Sequence, residues 1–169
     1  IIKRAAAFIA SSTASREAQI AYGADEKKCF ISYLTVDIQK YLYEKPQKTT
    51  QNEGLQLLYV GSLIQRKGLD LLLPALAKTP QNIRLWIVGE GQEKDLLQKQ
   101  CTELKISDRV EFLGYQEGEP LQKLYRTADA FVLPTREDCF GLVLLEAMCA
   151  SLPIISSKYA DGARDLVSD

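Results

Sequence analysis

No histidine occurs anywhere in the sequence. That gap removes a Ser-His-Asp or Cys-His catalytic apparatus from within the chain. It also argues against a zinc site, because the four cysteines, Cys29, Cys101, Cys139 and Cys149, form no C-x-x-C pair. Cysteines scattered in this way fit a reducing cytoplasm rather than a disulfide framework. Long apolar runs are missing too, and none approaches the length of a membrane span. An excess of one charge is also absent. Lys and Arg number 21 against 22 Asp and Glu, for a net charge of −1, which excludes a general nucleic-acid or polyanion binder. No secretory signal is visible in these residues, and they hold no internal repeat and no low-complexity tract. The sequence opens Ile1-Ile2-Lys3 without Met, so it is expected to be a fragment of a longer protein.

What remains is an ordinary globular composition, 46% apolar and 25% charged over 169 residues. It suits one domain, or one plus part of another. Residues 5–10 read as a short buried strand, 13–22 as a helix stopped by Gly23, and 28–33 as a second strand. From Asp37 to Gly54 the chain is polar and reads as a linker or domain boundary. Strands then read at 55–60, 83–88, 110–113, 130–133 and 153–156. Helices alternate with them at 69–79, 93–105, 121–128 and through Met148. Pro74 predicts a kink or a late start in the first of these helices. Alternation throughout predicts a doubly wound parallel α/β sheet, a Rossmann-like half.

The stretch from Asp138 to Glu146 carries the clearest chemistry. It follows a buried strand and opens a helix, the place in an open α/β sheet where ligands sit and where free N–H groups attract anions. Asp138 alone reads equally as a helix cap. Glu146 lies between Leu144, Leu145, Ala147 and Met148. A carboxylate there is costly without a partner. The pair is spaced to face one crevice at two depths, with Glu146 two turns into the helix.

Gly61, Gly89 and Gly114 end three other strands, which suggests a shared crevice on one sheet edge. Arg66-Lys67 follows a strand and precedes a helix, where a basic pair can hold a diphosphate. The Gly61–Gly68 stretch is no P-loop, since its order is Lys-Gly and no Ser or Thr follows. Gly89-Glu90-Gly91 lacks the third glycine of a dinucleotide fingerprint.

Together, four stretches resemble a known family. They are Leu58-Tyr59-Val60-Gly61-Ser62-Leu63-Ile64-Gln65-Arg66-Lys67-Gly68, Trp86-Ile87-Val88-Gly89-Glu90-Gly91, Val110-Glu111-Phe112-Leu113-Gly114, and the run from Phe131 to Met148. In this order and spacing they are similar to the nucleotide-sugar-binding half of a GT-B glycosyltransferase, of the large retaining family 4 (group 1). The resemblance covers roughly residues 55–165. Residues 1–45 resemble the tail of the family's acceptor-binding half, leaving 46–169 as a donor-binding domain truncated at its C-terminus.

The resemblance implies roles. Lys67 matches the lysine that binds the donor diphosphate, and Glu146 the second acid of an E-x7-E motif, which holds the ribose. Asp138 stands where the first acid contacts donor-sugar hydroxyls, with Glu137 next door as a competitor for that role. Lys67, Asp138 and Glu146 are thus the candidate catalytic residues. The backbone of Phe140, Gly141 and Leu142 is implied to cradle sugar and phosphate. Gly61, Ser62 and Arg66 are implied beside the diphosphate, and Gly89, Gly91, Gly114 and Tyr115 beside the base. Ser62 departs from the family, many members of which carry a second arginine there, and Arg66 is the nearest cation able to compensate.

The implied activity is retaining transfer of a hexose from a nucleotide-diphospho-sugar to an acceptor hydroxyl, in cell-surface polysaccharide or glycolipid synthesis. The implied partners are the nucleotide-sugar donor and a sugar or lipid-linked acceptor held by the missing domain. No cofactor, metal or nucleic acid is expected. The expected location is the cytoplasm, with peripheral contact to a membrane surface through the missing domain. Two alternatives stay open: a non-catalytic nucleotide-binding module, and a sugar-nucleotide epimerase on the same plan.

Overall fold

The computed structural model describes residues 5–41 and 54–167. Strand β1 (Phe8–Ala10), helix α1 (Thr13–Ala21) and strand β2 (Cys29–Ile31) come first, and the two strands pair in parallel as a small separate sheet. Beyond a 3-10 turn at Ile38–Lys40 follow β3 (Leu55–Val60), α2 (Leu69–Ala77), β4 (Ile83–Val88) and α3 (Lys94–Glu103). The chain ends with β5 (Val110–Gly114), α4 (Gly118–Thr127), β6 (Ala130–Leu133), α5 (Leu142–Cys149), β7 (Ile154–Ser156) and α6 (Asp161–Leu166).

These later strands form one sheet in the order β5-β4-β3-β6-β7, and every pairing in it is parallel. The expected doubly wound fold is present. From β3 the chain steps outward through β4 to β5, then returns to the other side of β3 with β6. The direction of winding therefore reverses between β3 and β6, which pair through Leu57 with Ala130 and Leu58 with Phe131. Parallel strands covered on both faces are apolar along their length. Leu58, Tyr59, Leu85, Ile87 and Phe131 are accordingly fully buried.

Helix α2 starts at Leu69 and keeps Pro74 inside it, so the late start is not observed. Proline has no N–H to give the carbonyl four residues back. That carbonyl, of Asp70, accepts instead from the Gln100 side chain on α3 at 3.1 Å. Helix α4 begins at Gly118, earlier than the expected 121. Pro120 falls in its first turn, where a backbone N–H has no intrahelical acceptor to lose.

The polar stretch expected as a linker is anchored at its start. Tyr41 is 9% exposed and meets Tyr125 edge-on, ring centroids 5.6 Å apart. Residues 42–53 of that stretch lie outside the described residues. Helix α1 lies on α6: the Thr13 N–H donates to the Asp165 carboxylate at 2.7 Å, and Arg164 forks onto Glu17 at 2.8 and 3.0 Å. The Tyr33 ring lies 6.5 Å from that of Phe140. The N-terminal segment is thus fastened to the sheet unit at α6, at α4 and beside the loop before α5.

Candidate functional site

The loops after β3, β4 and β5 are laced together by backbone. Gly61 N–H donates to Val88 O and Leu63 N–H to Glu90 O, each at 2.9 Å, while Gly89 N–H donates to Gly114 O at 2.8 Å. Gly89 has φ 138°, and a Cβ there would lie 2.0 Å from Gly61 O. At Gly91 a Cβ would lie 2.3 Å from Leu63 O. These two glycines are required by loop-to-loop contact, whatever else approaches them. Gly61 sits on the Tyr59 ring, whose hydroxyl donates to Ser62 O at 3.0 Å. The Ser62 side chain faces outward. At the far end Gly114 abuts the Glu90 carboxylate, and Tyr115 is exposed with its hydroxyl on Glu117 at 2.9 Å.

The loops after β3 and β6 meet across the switch point. Lys67 Nζ pairs with Asp138 Oδ2, with side chains only 15% and 13% exposed. Arg66 donates to Glu137 O at 3.1 Å, and Arg136 N–H to Arg66 O at 2.8 Å. The buried Thr135 hydroxyl bridges the carbonyls of Arg66 and Glu137 at 3.1 and 2.8 Å. Arg136 forks onto Asp70 at 2.6 and 2.7 Å and reaches Gln65 O at 2.7 Å. Its guanidinium holds the Asp70 carboxyl below the ordinary value of 3.8. Gly68, left-handed at φ 72°, lets this happen: a Cβ would lie 2.2 Å from Pro134 O.

Asp138 is fixed on its backbone as well. Its N–H donates to Tyr159 O at 3.0 Å, its carbonyl accepts from Asp161 N–H at 2.9 Å, and Oδ1 accepts from Phe140 N–H at 3.4 Å. Burial, then the charge of Asp138, raises the carboxyl of Asp161. Of the two neighbouring acids, Asp138 turns its carboxylate to Lys67, whereas Glu137 is exposed and contributes its carbonyl. Gly141 opens α5 without a side-chain cap, and in the first turn the Leu144 N–H bonds back to Gly141 O at 2.8 Å. Phe140 is buried beside it and Leu142 is exposed.

Glu146 stands one turn into α5, not two. The partner its surroundings demand is Tyr125, whose hydroxyl donates to Oε2 at 2.7 Å. The Tyr41 ring packs edge-on against that of Tyr125. Lys67, Asp138, Arg66 and the loop through Phe140 therefore form one bonded group, and Glu146 is bonded separately, by Tyr125. Sequence reasoning missed Tyr59, Asp70, Tyr125 and Arg136. The signal for Tyr125 was Glu146 itself, a carboxylate in an apolar helix. The others bond to backbone or across long separations and left no local sign. Among the described residues, no group of three or more His, Cys, Asp or Glu side chains is placed to hold a metal ion. No helix there is long and apolar enough to cross a membrane.

A parallel sheet with a basic residue beside its switch point, and a helix starting there, has the layout in which open α/β sheets place ligands. The chain belongs to the family of glycosyl transferases group 1, whose family profile matches residues 43–169. It is similar to the lipopolysaccharide core biosynthesis glycosyltransferase LpsE of Rhizobium meliloti, 32% identical over 115 residues, or 68% of this chain and 33% of that protein. It is 29% identical over 163 residues to the lipopolysaccharide 1,6-galactosyltransferase of Salmonella typhimurium, covering 94% of this chain and 45% of that one. Among solved structures, the galactosyltransferase WaaB in its apo form superimposes with a TM-score of 0.86 at 29% identity, over 99% of this chain and 47% of that one. HepE of Anabaena in complex with UDP superimposes with a TM-score of 0.87 at 26% identity, over 99% and 49%. HepE has also been solved with UDP-glucose. The chain spans less than half the length of each of these proteins.

Proposed function

We propose that this chain holds the nucleotide-diphospho-sugar donor of a retaining hexosyltransferase that makes cell-surface polysaccharide or glycolipid. One observation carries the proposal: Lys67, from the loop after β3, pairs across the switch point with Asp138, in the loop after β6 that leads into the start of α5. In the transfer, the bond from the anomeric carbon to the diphosphate breaks and a bond to the acceptor oxygen forms. Negative charge grows on the departing diphosphate. Lys67 and the α5 N–H groups are positive where that charge develops, so they favour the transition state over the ground state. Asp138 meets the sugar hydroxyls and Glu146 the ribose. In this proposal residues 1–45 belong to the acceptor-binding half and 46–169 to the donor-binding half. The reaction needs no metal, because the lysine and the helix supply the positive charge. UDP is the first nucleotide to test, since HepE was solved with it.

The test is titration with UDP and uridine, followed by assay with UDP-hexoses and acceptors in the protein joined to its acceptor-binding half. UDP should bind more tightly than uridine, and transfer should depend on acceptor. Absence of UDP, GDP and ADP binding at millimolar concentration overturns the donor-site assignment. Binding without turnover would favour a non-catalytic module, and conversion of the sugar-nucleotide without acceptor an epimerase.

A further inference from the structure

The carboxylate of Glu146 receives the hydroxyl of a buried tyrosine. Tyr125, on α4, is fully buried and donates at 2.7 Å. Tyr41, from the segment before β3, packs against the Tyr125 ring. The rings pack edge-on at 88°, and Tyr125 also stacks on Phe131 of β6 with centroids 5.9 Å apart. Both phenols therefore sit on a rigid wall of the core.

A carboxylate offers about four lone-pair directions. Tyr125 takes one and leaves room for the two vicinal hydroxyls of a ribose. An ionised carboxylate one turn into a helix is otherwise free to swing among rotamers. Burial first, and the charge of Glu146 second, raise both phenols above the ordinary tyrosine range. Each therefore stays protonated at physiological pH, and Tyr125 remains a donor.

We infer that Tyr125 is a positioning residue for the nucleotide ribose: it does not touch it, but aims the Glu146 carboxylate that does. The inference rests on the proposed role of Glu146. Its second element is that Tyr41, from the segment leading into β3, braces the Tyr125 ring edge-on. The geometry of the ribose contact thus depends on how that segment is seated against α4.

The experiment compares binding of UDP and 2′,3′-dideoxy-UDP by calorimetry in the wild-type protein and in Tyr125→Phe, Tyr41→Leu and Glu146→Gln. The phenylalanine removes one oxygen and keeps the ring, and the leucine removes the ring that braces Tyr125. The wild type should prefer UDP, and either tyrosine variant should lose about three- to tenfold of that preference while binding the dideoxy nucleotide as before. A purely structural tyrosine would weaken both ligands together and leave their ratio unchanged. If Tyr125→Phe does not fold, Tyr41→Leu decides. A preference abolished by Glu146→Gln but unchanged in the tyrosine variants overturns this inference and leaves the ribose role of Glu146 intact. A wild type without any preference overturns both.

Discussion

Lys67 and Asp138 form an ion pair across the switch point, one from the loop after β3 and the other from the loop after β6, with most of both side chains out of solvent. If Lys67 binds the diphosphate, Asp138 is its rival partner. Asp138→Asn should then tighten UDP about three- to tenfold, because a freed lysine makes a charge-assisted bond to phosphate. A UDP-hexose should gain less, having lost an acceptor for its sugar hydroxyls. Lys67→Ala should cost UDP about tenfold or more and uridine little. Calorimetry on the two variants checks this. Weaker UDP binding in Asp138→Asn would mean the carboxylate only supports the loop.

Asp70 and Arg136 carry a pH signature. The fork from Arg136 lowers the Asp70 carboxyl in the folded chain, whereas unfolding returns it to about 3.8. A group lowered in this way adds stability above its unfolded value and loses it as pH falls through the folded one. Both side chains are about a third exposed, so screening limits the contribution to about 1 kcal/mol at pH 7. Asp70→Asn should lower stability by that amount at neutral pH, and the difference from wild type should shrink as pH falls below the unfolded value of about 3.8 and vanish below the folded one. Chemical denaturation across the pH range reads it out. A pH-independent gap would show that shape, not charge, holds the loop.

The contrast between what was legible and what was not follows range along the chain. β3, β4 and β6 were readable because an apolar run bounded by Gly or Pro is a local pattern. The position of Lys67 before α2, and of Asp138 before α5, followed from the same pattern. The strand order did not, since pairing of Leu58 with Phe131 joins residues far apart in sequence and leaves no periodic mark. The role of Gly89 was half legible: a positive φ suits glycine, but the oxygen of Gly61 crowding it belongs to another loop. Tyr41 looked like part of a polar linker because its neighbours are polar. Only packing against Tyr125 shows that it is core.

Gln100 and Pro74 allow a coupling test. The Asp70 carbonyl that Pro74 cannot satisfy is satisfied by Gln100. Gln100→Ala should cost about 1 kcal/mol by leaving that carbonyl unpaired. In a Pro74→Ala background the new N–H can reach Asp70 O, so the same change should cost much less. A double-mutant cycle in denaturant measures the difference. Additive effects would show that Gln100 contributes only packing.

Metal dependence is a separate prediction. Among the described residues no group of three or more His, Cys, Asp or Glu is placed to hold a cation, and in the proposed function Lys67 supplies the positive charge beside the diphosphate. UDP affinity should change less than twofold between excess chelator and millimolar magnesium or manganese, well under the tenfold that about 1.4 kcal/mol represents. A tenfold or larger gain with metal would transfer the diphosphate-neutralising role from Lys67 to the ion.

The last prediction concerns the 169 residues by themselves. The loops that meet at the switch point all lie within the family match, so the donor site is built locally and should bind UDP. Transfer demands more. The acceptor oxygen has to be held near the anomeric carbon, and positioning of that kind is worth roughly 7–11 kcal/mol of the barrier. Closure over the donor must also exclude water, or the sugar is lost to hydrolysis. The matched relatives are each more than twice as long as the segment they share with this chain. This length should therefore bind UDP with a dissociation constant of about 0.1–1 mM, equivalent to roughly 4–5.5 kcal/mol, and transfer no hexose. The measurement is calorimetry alongside an assay of UDP-hexoses with a panel of sugar and lipid acceptors. Acceptor-dependent product above the uncatalysed rate would show that the switch-point site alone positions both substrates, and the two-part division of labour would fall.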